Sequence, residues 1–142
     1  MTSKLLQRLS DASRSGVYRA PGAGEVLEAT RGSNIRVSRI ALAGASGKPE
    51  LMERLARALE FPHWFGGNWD ALEDCLSDLS WSDAAGQVLL IEGAEGLPPD
   101  ERGILIDVLG SAAAFRAERG RPFFAVFVGG APPLPELFRS SR

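Results

Sequence analysis

The chain has 142 residues, a formal net charge of −2 and a single cysteine, Cys75. That length suits one domain, with roughly 68–70% of the unfolded chain's surface buried on folding. One cysteine excludes an internal disulfide and most cysteine-based metal sites, which fits a reducing cytoplasm, and no apolar run approaches the about 20 residues that a bilayer crossing needs.

Residues 4–13 read as a short amphipathic helix with Leu5, Leu6 and Leu9 on one side. This opening stretch has no uninterrupted apolar core and no cleavage site, so no signal peptide is expected. Val17-Tyr18-Arg19 suits a brief strand, and Pro21-Gly22-Ala23-Gly24 a turn. Residues 35–42 read as a strand. Pro49 then suits the first turn of a helix that reaches Glu60 and is stopped by Pro62. Asn68 or Trp69 opens the next helix, which ends near Trp81. Val88-Leu89-Leu90-Ile91 is a continuous apolar run, as in a strand buried on both faces. Pro98 and Pro99 open a helix to about Arg119, with Ile104, Leu105, Val108, Leu109, Ala112 and Phe115 facing inward and Gly120 ending it. Residues 123–128 form a further buried strand, and Pro132, Pro133 and Pro135 make an extended tail.

Helices between strands favour a parallel sheet with right-handed crossovers. The expected fold is α/β: a small three-stranded parallel sheet packed with helices, plus a short N-terminal helical extension. The expected division is an extension over residues 1–34, a core domain over 35–129 and a proline-rich tail over 130–142.

Charge is unevenly spread. No Lys or Arg lies between Arg57 and Arg102, while Glu60, Asp70, Glu73, Asp74, Asp78, Asp83, Glu92, Glu95, Asp100 and Glu101 do. Such a middle argues against direct nucleic-acid binding, which needs clustered Lys and Arg. The segment FPHWFGGNWDALEDCLSDLSW, residues 61–81, concentrates the feature. At about 100° per residue, Leu72, Cys75, Leu76 and Leu79 share one stripe, and Asp70, Glu73, Asp74, Ser77, Asp78 and Trp81 fall opposite. Asp70–Asp74 and Asp74–Asp78 repel at i, i+4 with no Lys or Arg to relieve them. Either this face is plain solvated surface, or it meets a cationic partner. In the preceding loop, Gly66-Gly67 allows a sharp shape and Asn68 is a good N-cap. Of Trp64, Phe65 and Trp69, either all are core, or one packs inward while another anchors an interface.

Other chemistries fare worse. Cys75 lies on the apolar stripe, where a thiol is protonated and inert, so a pair with His63 is discounted. A lone histidine argues against histidine-based metal sites. Residues 43–48, AGASGK, lie between a strand and a helix but lack the G-x-x-x-x-G-K-[ST] pattern of a phosphate loop. No cofactor and no catalytic residue is called for.

The run Pro62, Trp64, Phe65, Gly66, Asn68, Asp70-Ala71-Leu72, Asp74-Cys75-Leu76 resembles the barstar family of intracellular ribonuclease inhibitors. The resemblance covers roughly residues 35–128. It implies a cytoplasmic inhibitor, monomeric alone and one-to-one with a basic ribonuclease, whose second helix and preceding loop plug the enzyme's active site. The implied contacts are Trp64, Phe65, Gly66, Asn68, Asp70, Glu73, Asp74 and Asp78. Asp74 would be the principal phosphate mimic, Asp70 a supporting one, and Trp64 would stand where the family usually has a tyrosine. Glu73 and Leu79 replace aromatics of the best-known member. The family's later-helix glutamate has no clear match; Glu118 is nearest in kind. An immunity or adaptor protein of the same fold, serving a non-nuclease partner, is the alternative.

Overall fold

Two strands are apolar at nearly every position, β3 (Gly86–Glu92, GQVLLIE) and β4 (Phe123–Val128, FFAVFV). Alternate side chains of a strand point to opposite faces, so both faces of this sheet must be covered. The computed structural model, which describes residues 4–79, 82–129 and 134–138, shows how.

Helix α1 (Lys4–Leu9) leads through a 3₁₀ turn to β1 (Gly16–Ala20), followed by α2 (Gly24–Thr30) and β2 (Ile35–Ala41). Helices α3 (Lys48–Leu59) and α4 (Trp69–Asp78) precede β3, and α5 (Pro99–Ala117) joins β3 to β4. All strand pairings are parallel, in the order β1-β4-β3-β2.

The sheet therefore has four strands where three were expected. Val17-Tyr18-Arg19 is the middle of β1, which pairs with β4 from Gly16↔Phe124 to Ala20↔Val128. The physical reason lies in β4. Phe123, Ala125 and Phe127 face a core built with Leu51, Leu55, Leu72, Leu76, Leu105 and Leu109 from α3, α4 and α5. Phe124 and Val126 face the other way, into a second core completed by Leu9, Ala20, Val26 and Leu137. A sheet covered on one side alone would leave Phe124 and Val126 in water. The N-terminal residues supply both an edge strand and the missing cover, and Tyr18 stacks on Phe124 with ring centroids 5.8 Å apart. Gly24, read as turn, is the first residue of α2.

The described part of the tail seals the β1 edge. Arg19 donates its backbone N–H to Pro135 O (2.8 Å), Leu137 returns one to Arg19 O (2.9 Å), and Leu137 is fully buried. An edge strand left open invites pairing with another chain, and this strap prevents it. Pro132 and Pro133 lie outside the described residues.

At the other end of the sheet, Gly93 follows β3 with φ +82°, and a Cβ there would stand 2.5 Å from Ala43 N. Backbone touches backbone at this point, which fixes the β2–α3 loop against the end of β3.

On α5 the buried stripe is Leu105, Val108, Leu109, Ala112, Ala113 and Arg116. Ile104 and Phe115, expected inward, are each 40% exposed. At the last inward turn the stripe passes to Arg116, and Phe115 turns out beside it.

Candidate functional site

Helix α4 starts because Asn68, in an extended conformation, accepts the Ala71 N–H on its side-chain oxygen at 2.7 Å. Of the two preceding glycines only Gly67 takes a left-handed angle, φ +73°. A Cβ on Gly66 would meet Asn68 Nδ2 and Ala71 Cβ at ordinary contact distances, so the sharp turn belongs to Gly67 alone. The helix ends with Leu79 in the left-handed conformation, its side chain buried. Trp81 lies outside the described residues.

The apolar stripe sits inward: Leu72, Cys75 and Leu76 are fully buried. Burial pushes the Cys75 thiol up, and the charges of Asp74 and Asp78 push it further in the same direction. The thiolate, the reactive form, is disfavoured twice over. Cys75 in the native protein is expected to resist a thiol reagent such as DTNB and to titrate only on unfolding; rapid native labelling would refute this.

The opposite side is exposed at Asp70, Glu73, Asp74 and Asp78. Elsewhere the acidic middle is relieved from β2, where Arg36 pairs with Glu60 at 3.1 Å and Arg39 with Glu92 at 2.9 Å. No such relief reaches the start of α4: among the described residues, Asp70, Glu73 and Asp74 enter no ion pair. The loop aromatics divide. Phe65 packs against Phe61 with ring centroids 4.9 Å apart, Phe65 and Trp69 lean on the main core, and Trp64 is 58% exposed.

Two residues join this edge that the sequence did not assign to it. Glu73, Asp74, Ser77 and Asp78 form one wall of a groove of about 540 Å³ whose other wall is Phe115 and Arg119 of α5. The Arg119 guanidinium lies 3.6 Å from the centroid of the Phe115 ring, a cation–π contact. Helical spacing could not separate Phe115 from core, because it sits at the border of the buried stripe. Glu118 is exposed just past the end of α5 and does not line the groove.

The family model described as barstar (barnase inhibitor) matches residues 35–128. The chain belongs to the barstar family. The matched span runs from the first residue of β2 to the last of β4, so β1, α1 and α2 lie outside it. None of the curated proteins matches the chain. Among solved structures, the crystal structure of Cdc6p from Pyrobaculum aerophilum is similar with a TM-score of 0.57 and 17% identity, covering 90% of this chain and 41% of that one. The chain thus spans less than half the length of that structure, and the likeness is one of α/β fold alone.

In this barstar-family chain the acidic helix is held at its C-terminal end by a buried arginine. Arg116, 6% exposed, donates from Nη1 to Asp78 O (3.1 Å) and Ser77 O (3.4 Å). These are helix-terminal carbonyls without intrahelical partners, and a cation there also suits the helix dipole. Burial lowers the Arg116 pKa, the neighbouring Arg121 lowers it further, and Asp78 acts the other way. Arg116→Met keeps the stem and removes the donors. A stability loss of about 1–3 kcal/mol is expected in urea unfolding, with faster amide exchange at the end of α4; an unchanged midpoint would mean water replaces the arginine fully.

Among the described residues no group of three or more His, Cys, Asp or Glu is placed to hold a metal ion, and no helix is long and apolar enough to cross a membrane.

Proposed function

We propose that the edge formed by Trp64, Phe65, Gly66, Asn68, Asp70, Glu73, Asp74 and Asp78 binds and blocks the active site of a basic ribonuclease, its carboxylates standing in for RNA phosphates. The observation that carries this reading is the exposed, unpaired acid of Asp70, Glu73 and Asp74 beside the exposed Trp64. Like charges at helical spacing destabilise the free protein, and a cationic partner turns that cost into attraction. Long-range attraction steers the encounter, and charge pairs desolvated on contact then slow dissociation. The barstar-family match supports an inhibitor's role, and the chain acts by binding, in the cytoplasm, with no catalytic step of its own.

The test is capture on the immobilised full chain at low salt, elution at high salt, and assay of the eluate for RNA cleavage. A basic ribonuclease that the free protein inhibits one to one, losing affinity as salt rises, is the expected result. No nuclease in the eluate, together with no effect of the purified chain on any basic ribonuclease assayed, overturns the proposal. Capture of a cationic non-nuclease on the same face would favour the immunity or adaptor role instead. The presence of Arg119 in the groove, where a further carboxylate would suit a phosphate-binding enzyme, is the observation favouring that alternative. Deletion of residues 1–24 does not discriminate between the two, because it removes β1 and uncovers Phe124 and Val126.

A further inference from the structure

Beyond the end of α4 lies a second concavity, a cavity of about 450 Å³ lined by Ser77, Asp78, Leu79, Ser82, Arg116, Arg119 and Arg121. Three guanidiniums face one carboxylate there, in a chain whose net charge is negative. The described ion pairs engage Arg19, Arg31, Arg36, Arg39, Arg54 and Arg57, and none engages Arg116, Arg119 or Arg121. Arg116 is more than nine-tenths buried, and its Nε has no hydrogen-bond partner. Neutral donors are present too. Ser82 Oγ accepts from Gln87 Nε2 at 3.0 Å and from Ala84 N at 3.4 Å, which leaves its O–H proton to donate.

We propose that this cavity binds a phosphate dianion, either free or as the monoester of a small metabolite. A single carboxylate ligand would supply too little charge against Asp78 and the carbonyl end of α4. A dianion offers three oxygens for the planar forks of the arginines and the hydroxyl of Ser82, and guanidinium geometry suits phosphate bidentately. Burial first and Arg121 second lower the Arg116 pKa, and a bound anion relieves the repulsion between the two arginines. Because Arg116 also holds the α4 carbonyls, an occupied cavity ties α5 to the end of the acidic helix.

The test is thermal unfolding of the full chain in about 10 mM sodium phosphate against sodium chloride of matched ionic strength, with adenosine monophosphate as a second arm. For a Kd near 1 mM, the midpoint should rise by about 3–6 °C in phosphate. The rise should persist in Arg31→Gln and in Asp74→Ala and vanish in the double variant Arg119→Gln/Arg121→Gln. Arg116 is left intact, so the variant keeps its buried cap on α4. The arm giving the larger rise identifies the free ion or the monoester as the ligand. A rise equal in chloride, or one surviving in the double variant, overturns the proposal. None of these readouts requires a protein partner, so failure here is separate from failure of the ribonuclease reading.

Discussion

Asp74→Ala should weaken binding to the proposed ribonuclease partner by about 2–5 kcal/mol, roughly 30- to several-thousand-fold in Kd, the range measured for truncating one member of an interfacial charge pair, barnase–barstar pairs among them. Most of the loss should fall on the dissociation rate, because removing the carboxylate leaves an arginine or lysine of the enzyme buried and unpaired. Stability of the free protein should move little, or rise by a few tenths of a kcal/mol. Asp74 is exposed and unpaired, and its removal relieves repulsion from Asp70 and Asp78 at i±4. Calorimetric titration with wild type and variant, alongside urea unfolding of each, separates the two quantities. Unchanged affinity in the variant would exclude Asp74 as the phosphate mimic.

Gly93→Ala should act on the fold in the opposite sense, costing about 3–5 kcal/mol of stability and leaving binding chemistry untouched in whatever fraction folds. Two penalties combine. The left-handed φ of +82° disfavours any side chain, and the new Cβ would lie 2.5 Å from Ala43 N and 2.9 Å from Ala43 Cα. Those are main-chain atoms, so relief requires shifting the whole β2–α3 connection, where Leu42 N–H meets Glu92 O at 2.7 Å. Gly32 is the control. Its φ is +75°, but a Cβ added there would have nothing within 4 Å, so Gly32→Ala should cost only about 1–2 kcal/mol. Equal midpoints for the two variants in urea would show that the close approach at Gly93 carries no weight.

Local pattern revealed the scaffold of α4 well, because a four-residue apolar stripe at i, i+3, i+4 and i+7 leaves one orientation. Asn68 was legible as the cap for the same reason: its role depends on a residue three positions away. The fourth strand was harder. Gly16–Ala20 is short, carries Arg19 and is half-buried at most of its positions, so alternation is weak; its partner lies at the far end of the chain. The two-faced apolar character of FFAVFV already demanded a second covering layer, and that demand was the available signal. At the candidate site, the loop and α4 residues follow one another in sequence, whereas Phe115 and Arg119 reach the groove through the packing of α5, which no local periodicity encodes. Arg116 is the converse case, a charged residue on a buried stripe whose justification is the pair of carbonyls it meets.

The pairing of β1 with β4 has a consequence for how the chain is made. Phe123 N–H reaches Ser15 Oγ across 108 positions, and among the described residues β4 is the one strand that pairs with β1. On a ribosome adding about 5–20 residues per second, the segment carrying β1 waits some 5–20 s for its neighbour to emerge. The acidic helix, by contrast, is synthesised by residue 78 and stands exposed before the sheet can close. Closing so long a loop late is entropically costly, and high contact order slows folding. Val88 and Leu90 of β3 emerge roughly 2–7 s before β4 at that rate, and a chaperone that shields them until then would set how much folded protein a cell obtains from each message.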